Sequence, residues 1–147
     1  MSINLLTEKF ISQSGNPPQM EAITHSAAII IKDKKALLVK RPQDDVEGDK
    51  WTFVNETLEQ GETPEQAVVR GVKEEIGCDF EIIHKLFEHE FKGHKTHVFL
   101  GTIQGDIRIN PKEVLKAGWA VYEEATSLAY AFGYEQVLNR LRQLQLI

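Results

Sequence analysis

One cysteine stands in the whole chain, so no internal disulfide can staple the fold. A reducing compartment suits that usage. Cys78 reads as a small buried hydrophobe rather than a reactive thiol. Long apolar runs are also missing. The longest, Ala27 to Ile31, falls far short of the roughly 20 residues that a membrane helix needs. The N-terminus carries no secretory-signal pattern, and the expected location is cytoplasmic, with no membrane partner. Positive charge is in deficit: 17 Lys and Arg face 22 Asp and Glu, a net charge of −5. That balance argues against stable nucleic-acid binding, which needs clustered cations. It leaves room for a phosphate-bearing ligand, because a metal ion can supply positive charge locally. His25, His84, His89 and His97 show no ligand spacing, so zinc has little support. What remains is ordinary globular composition, 41% apolar and 27% charged. A length of 147 residues fits one domain over 1–147 with its own core. Residues 1–20 are expected as a loosely ordered extension: Leu5, Leu6, Phe10 and Ile11 are apolar, but 12–18 have loop composition.

Along the chain, the β-branched run from Ser26 to Lys32 reads as a buried strand. Asp33-Lys34 makes a turn, and Ala36 to Val39 is its hairpin partner. Arg41 to Lys50 is a polar loop, followed by a short strand at Trp51 to Val54 and a further loop through Glu59. Phe80 to Phe91 and Thr96 to Ile103 read as two more strands, and Trp119 to Tyr122 as another. Helices are expected from Glu123 to Leu128 and from Tyr134 to Leu146, the latter with Val137, Leu138, Leu141 and Leu144 on one face. Neither an internal repeat nor a low-complexity tract interrupts this order, which suits a mixed α/β sandwich.

The segment Gly61 to Cys78 carries the chemistry. Thr63 as N-cap, Pro64 at the first helical position and Gln66 completing a capping box open a helix that Gly77 stops. At 100° per residue Val68, Val69, Val72 and Ile76 gather on a core stripe. Ala67, Arg70, Gly71, Glu74 and Glu75 share the opposite arc, which would place both carboxylates beside Gly71 and away from the core. Adjacent carboxylates repel, and a divalent cation or a strong cationic partner relieves the repulsion. Acidic residues on a helix face are more often simply solvated, so the pair alone says little.

The spacing around the pair says more. Glu62, Arg70, Val72, Glu74, Glu75 and Gly77 stand as in the motif glycine, five residues, glutamate, seven residues, Arg-Glu-aliphatic, any residue, Glu-Glu, any residue, glycine, aliphatic. The stretch resembles the Nudix box of the MutT-type pyrophosphohydrolases, and the likeness runs from about Ala28 to Leu141. Two positions depart from it: the opening glycine is Glu56, and the glutamate after the arginine is Gly71.

The resemblance implies a Nudix-type mixed β-sheet sandwiched between α-helices, an α/β/α arrangement. It also implies a Mg²⁺-dependent hydrolase, with Mn²⁺ as the alternative ion, acting on a nucleoside diphosphate derivative. That substrate class covers a nucleoside triphosphate, a nucleotide sugar and a dinucleoside polyphosphate. Carried over residue by residue, it gives Glu74 and Glu75 as metal ligands, Arg70 as the charge holding the motif carboxylates, and Glu62 as the residue orienting loop and helix. Glu113, in the loop before Trp119, is a third candidate ligand. Arg41, Glu56 and Tyr134 are candidate substrate contacts, and Lys40, Lys92, His94 and Lys95 are weaker ones. Glu88 and Glu90 share one side of a strand and rank lower.

Gly71 removes a carboxylate central to the family's cluster. Asn55 tolerates a left-handed backbone better than Glu56 does. Two readings of Glu56 stay open: an altered exposed loop, or a replacement carboxylate reaching into the site. The alternative to an enzyme is an inactive Nudix-fold module that binds a nucleotide or regulates a partner. A homodimer also stays open.

Overall fold

The computed structural model describes residues 23–147. The expected N-terminal extension, 1–20, lies outside the described residues. β1 (Ile23–Lys32) and β2 (Lys35–Lys40) form a hairpin. Its turn places Asp33 and Lys34 at φ 53° and 62°, the consecutive positive values of a tight two-residue hairpin turn. The arms pair only near the turn, at Ile31 with Ala36 and Lys32 with Lys35. Beyond it they part, and residues 51–57 fill the gap. β3 (Trp51–Thr52) bonds to β2, and β4 (Val54–Thr57) bonds antiparallel to β1. Phe53, between the two, is fully buried. The expected loop from Val54 is therefore a strand through Thr57. Neither Asn55 nor Glu56 has a positive φ; both sit in extended backbone that any residue adopts.

α1 (Pro64–Ile76) follows. β5 (Asp79–Phe91) and β6 (His94–Gln104) then form a long antiparallel hairpin, and β6 lies parallel to β1. β7 (Lys116–Ala120) pairs with the outer edge of β2. The chain closes with α2 (Tyr122–Ala125) and α3 (Tyr134–Gln143). Among the described residues no helix is long and apolar enough to cross a membrane.

The sheet buries both faces, which is why β1 reads as a continuous apolar run. Ala27, Ile29, Leu38 and Val98 face a core closed by Val137, Leu138 and Leu141 of α3. Ala28, Ile30, Leu37, Val39 and Phe99 face Val68, Val72 and Ile76 of α1. Cys78 is fully buried in the second core. The result is the expected α/β/α sandwich.

Two helix faces differ from the sequence reading. Val69 is exposed, while Ala67, Gly71 and Glu75 are buried. The buried arc of α1 is thus shifted, because β4 covers the side carrying Gly71 and Glu75, where water was expected. Leu144 is exposed, since α3 ends at Gln143 and Leu144 is only its cap.

Candidate active site

α1 begins as its sequence dictates. Thr63 Oγ1 accepts from the Gln66 amide at 3.1 Å, and Gln66 Oε1 accepts from the Thr63 amide at 3.0 Å. Gly77 ends the helix at φ 73°. At that end the orphan carbonyls are taken up by the following loop: Arg108 N donates to Ile76 O at 2.8 Å, and Asn110 N to Glu75 O at 2.9 Å. A turn closed by Glu113 N to Asn110 O, with Val114 buried behind it, holds Glu113 beside the last turn of α1.

Three carboxylates converge there. Oxygens of Glu56 from β4, Glu75 from α1 and Glu113 from the loop lie within 4.8 Å of one another. Glu113 is exposed and Glu56 half-buried, whereas Glu75 is 7% exposed. Among the described residues no hydrogen bond reaches the Glu75 carboxylate. Burial raises the Glu75 pKa well above the usual carboxylate range, and the Glu56 and Glu113 charges add to it. Glu56 is pushed up to about 7, first by burial and then by Glu113.

The adjacent acids of the motif point different ways. Glu74 turns outward and accepts from Arg70 Nη1 at 3.0 Å. Arg70 is the hub of the loop: its Nε and Nη2 donate to the two Glu62 oxygens at 2.7 and 3.0 Å, and Nη2 also donates to Thr57 O at 2.8 Å. Glu62 Oε1 accepts from the Glu59 amide at 2.9 Å. Pairing with Arg70 holds Glu62 down to about 2, a charge-assisted bidentate bond. Arg70 thus fastens the end of β4 to α1, and Glu56 Oε2 lies 4.0 Å from Nη1.

The trio opens into a polar cavity of about 320 Å³ that also exposes Lys40, Arg41, Asn55 and Lys112. Arg41 donates from Nε to Val46 O at 2.9 Å, and its guanidinium lies 4.7 Å from the Phe132 ring centroid. A second, apolar cavity of about 150 Å³ shares the His25, Asn55 and Phe132 walls and ends on His89, Phe91 and Tyr134. Phe132 sits at φ 54°, a costly conformation for a non-glycine residue. It is held by Glu47 Oε1, which accepts from its amide at 3.0 Å, and by the His89 ring on its carbonyl at 3.0 Å. Tyr134 is buried, with its phenol pKa raised by that burial. His25 is pushed down, chiefly by burial and then by His94.

Lys92, Glu88 and Glu90 do not line either cavity. Glu88 pairs instead with Lys85 at 2.7 Å, and Lys95 lies 3.6 Å from it. Phe132 had no sequence signal as a wall residue, because its place depends on the link between α2 and α3 folding back over β3. Only the Phe-Gly pair, with Gly133 at φ 70°, hinted at a tight turn.

Hard cations take oxygen ligands, and about 2.0–2.1 Å separates Mg²⁺ from each. Three oxygens within 4.8 Å of one another are close enough for side-chain movement alone to bring them onto one such ion.

Comparison with known proteins agrees with this geometry. A family model described as NUDIX domain matches residues 23–141. The chain is 32% identical over 111 residues to a CTP pyrophosphohydrolase of Escherichia coli, covering 66% of this chain and 82% of that protein. It is 44% identical over 57 residues to an 8-oxo-dGTP diphosphatase of Proteus vulgaris, covering 37% of this chain and 51% of the other. The solution structure of the E. coli ORF135 protein superposes with a TM-score of 0.72 at 26% identity, over 89% of this chain and 96% of that one. MutT from a study of Aliivibrio salmonicida and Vibrio cholerae shares the fold, with a TM-score of 0.72 at 23% identity, over 83% and 98% of the two chains. The chain belongs to the NUDIX domain family and is a Nudix hydrolase.

Proposed function

We propose that this protein is a Mg²⁺-dependent pyrophosphohydrolase of nucleoside diphosphate derivatives, with nucleoside triphosphates first among them. The observation that carries the reading is the buried Glu75 carboxylate, aimed with Glu113 into a cavity that also presents Arg41, Lys40 and Lys112. An acid so placed is costly to keep charged unless a cation meets it. Glu75 and Glu113 would hold the ion, which when bound neutralises phosphate oxygens and polarises the attacking water. Arg41 and Lys112 draw the polyphosphate into the cleft, and a carboxylate oxygen left free of the cation accepts the proton of that water. The P–O bond to the bridging oxygen breaks, and the bridging oxygen leaves with the departing phosphate. For a triphosphate cleaved between its α and β phosphates, the products are a nucleoside monophosphate and pyrophosphate.

The apolar cavity behind Phe132 supports a nucleoside as the remainder of the substrate. Its walls offer aromatic faces for a base to pack against. Likeness to the CTP pyrophosphohydrolase favours triphosphates over the other members of the class.

The test is hydrolysis of a panel of nucleoside triphosphates, nucleotide sugars and dinucleoside polyphosphates with Mg²⁺, then with Mn²⁺. Activity is expected on triphosphates, with Glu75→Gln lowering kcat by about a hundredfold or more. Nucleotide binding without turnover across the whole panel would overturn the enzyme and favour a binding module.

A further inference from the structure

We propose that Glu56 is a direct ligand of the catalytic cation, and that Gly71 exists as the gap admitting its side chain. The two departures from the motif are then one reciprocal exchange, in which a carboxylate has moved from α1 to β4. The inference rests on the phosphoanhydride-hydrolase reading of the same cleft.

Three observations meet on it. A Cβ built on Gly71 would lie 2.8 Å from the Glu56 Cβ and 3.2 Å from its Cγ. A side chain at 71 and the present Glu56 therefore exclude each other. Positions 71 and 75 are one helical turn apart on one face, so a carboxylate rooted at 71 would enter the space beside Glu75 that Glu56 fills. The Glu56 oxygen lies within 4.8 Å of those of Glu75 and Glu113, and Glu75 is a buried acid to which, among the described residues, no donor is hydrogen-bonded.

Register explains how β4 delivers the group. Glu56 pairs with Ser26 and Val54 with Ala28 across the β1 ladder. Residues two apart on a strand share a face, and Val54 packs into the core beneath α1. Glu56 therefore points toward α1 without backbone strain. Arg70, 4.0 Å from Glu56 Oε2 and bonded to Thr57 O, fixes the strand end and limits where the carboxylate can go.

The experiment uses the whole chain, stripped of metal with EDTA. Mn²⁺ is titrated by calorimetry and by loss of the free-ion spin-resonance signal, and triphosphate hydrolysis is read beside it. Glu56→Gln, nearly the same shape, is expected to weaken Mn²⁺ binding at least tenfold and to lower kcat about a hundredfold. Gly71→Glu alone is expected to lower Tm and weaken Mn²⁺ binding, because its Cβ meets Glu56. The double variant Glu56→Gly with Gly71→Glu is expected to recover Mn²⁺ affinity to within about threefold of wild type, since one carboxylate again fills one space.

Glu56→Gln keeping Mn²⁺ affinity and turnover within twofold overturns the proposal, as does a folded double variant that binds no better than either single one. Wild-type protein that needs Glu56 for Mn²⁺ yet cleaves no phosphoanhydride upholds the cation site and refutes the hydrolase reading. Hydrolysis indifferent to Glu56→Gln does the reverse.

Discussion

Glu75→Gln should stabilise the metal-free protein. The carboxylate is 7% exposed, faces two further acids and has no hydrogen-bond donor among the described residues. Keeping that charge away from water beside two further carboxylates carries a penalty that a neutral amide of the same shape does not. For a chain of this size 1 kcal/mol moves Tm by about 2–4 °C, so the variant should melt measurably higher without metal. The pH dependence fixes the sign. The folded pKa of Glu75 lies well above its ordinary value of 4.5. The penalty is therefore absent below pH 4.5 and grows as pH rises toward the folded pKa. Wild type and variant should melt together near pH 4.5 and separate by pH 8. Saturating Mn²⁺ should close the gap at pH 8 by raising only the wild-type Tm, because an ion bound to the native state stabilises it by mass action. Circular dichroism melts across pH 4.5 to 8, with EDTA and with Mn²⁺, measure all of this. A variant that melts below wild type at pH 8 without metal would refute the reasoning, since it would mean that the carboxylate already has a partner.

Three further outcomes follow from contacts elsewhere. Arg70→Lys loses the bidentate bond to Glu62 and the bond to Thr57 O; an ammonium cannot reproduce that fork. The loss should appear as a lower urea midpoint with unchanged slope. Thr63→Ala removes half of the capping box on α1 and should cost about 1 kcal/mol, a Tm fall of about 2–4 °C, with kcat unaffected. Phe132→Ala strips the aromatic wall shared by the two cavities. It should raise KM for a nucleoside triphosphate about tenfold, as expected for a contact of about 1.4 kcal/mol, with little change in Mn²⁺ affinity.

Much of the fold could be read from local signals because the physics that sets them is local. Thr63, Pro64, Gln66 and Gly77 bound α1 through bonds within four residues, and the apolar run of β1 reflects burial on both sides. The misplaced residues are those whose environment comes from distant segments. Val69 and Ala67 stand on opposite sides of α1, about 200° apart, and both are apolar. Which of them is buried depends on β4 lying across one flank of the helix, and that follows from the β1–β2 arms parting to admit residues 51–57. A stretch reading Asn-Glu-Thr-Leu-Glu carries no alternation to reveal a strand. Its ladder comes from β1, whose other edge is already paired with β6.

The same non-local cause explains why Glu74 and Glu75 part company in this structure. Neighbours on a helix point about 100° apart, so in this structure the two consecutive acids meet different surroundings. Here one side is covered by β4 and the loop before β7. Glu75 falls beneath that cover and Glu74 outside it, where Arg70 claims it at 3.0 Å. Further acids in the cleft come from other segments, Glu113 from the loop and Glu56 from β4, and a Cβ built on Gly71 would lie only 2.8 Å from the Glu56 Cβ. Position 71 is better understood as a volume than as a missing charge. Any side chain there displaces Glu56, whereas an intact Gly71 makes the strand residue part of the helix's own acidic face. It follows that Gly71→Ala, which adds no charge at all, should impair metal binding nearly as much as Glu56→Gln. Were lost charge on the helix the only defect, Gly71→Ala would leave Mn²⁺ affinity where the wild type has it, and calorimetry on that one variant separates the two accounts.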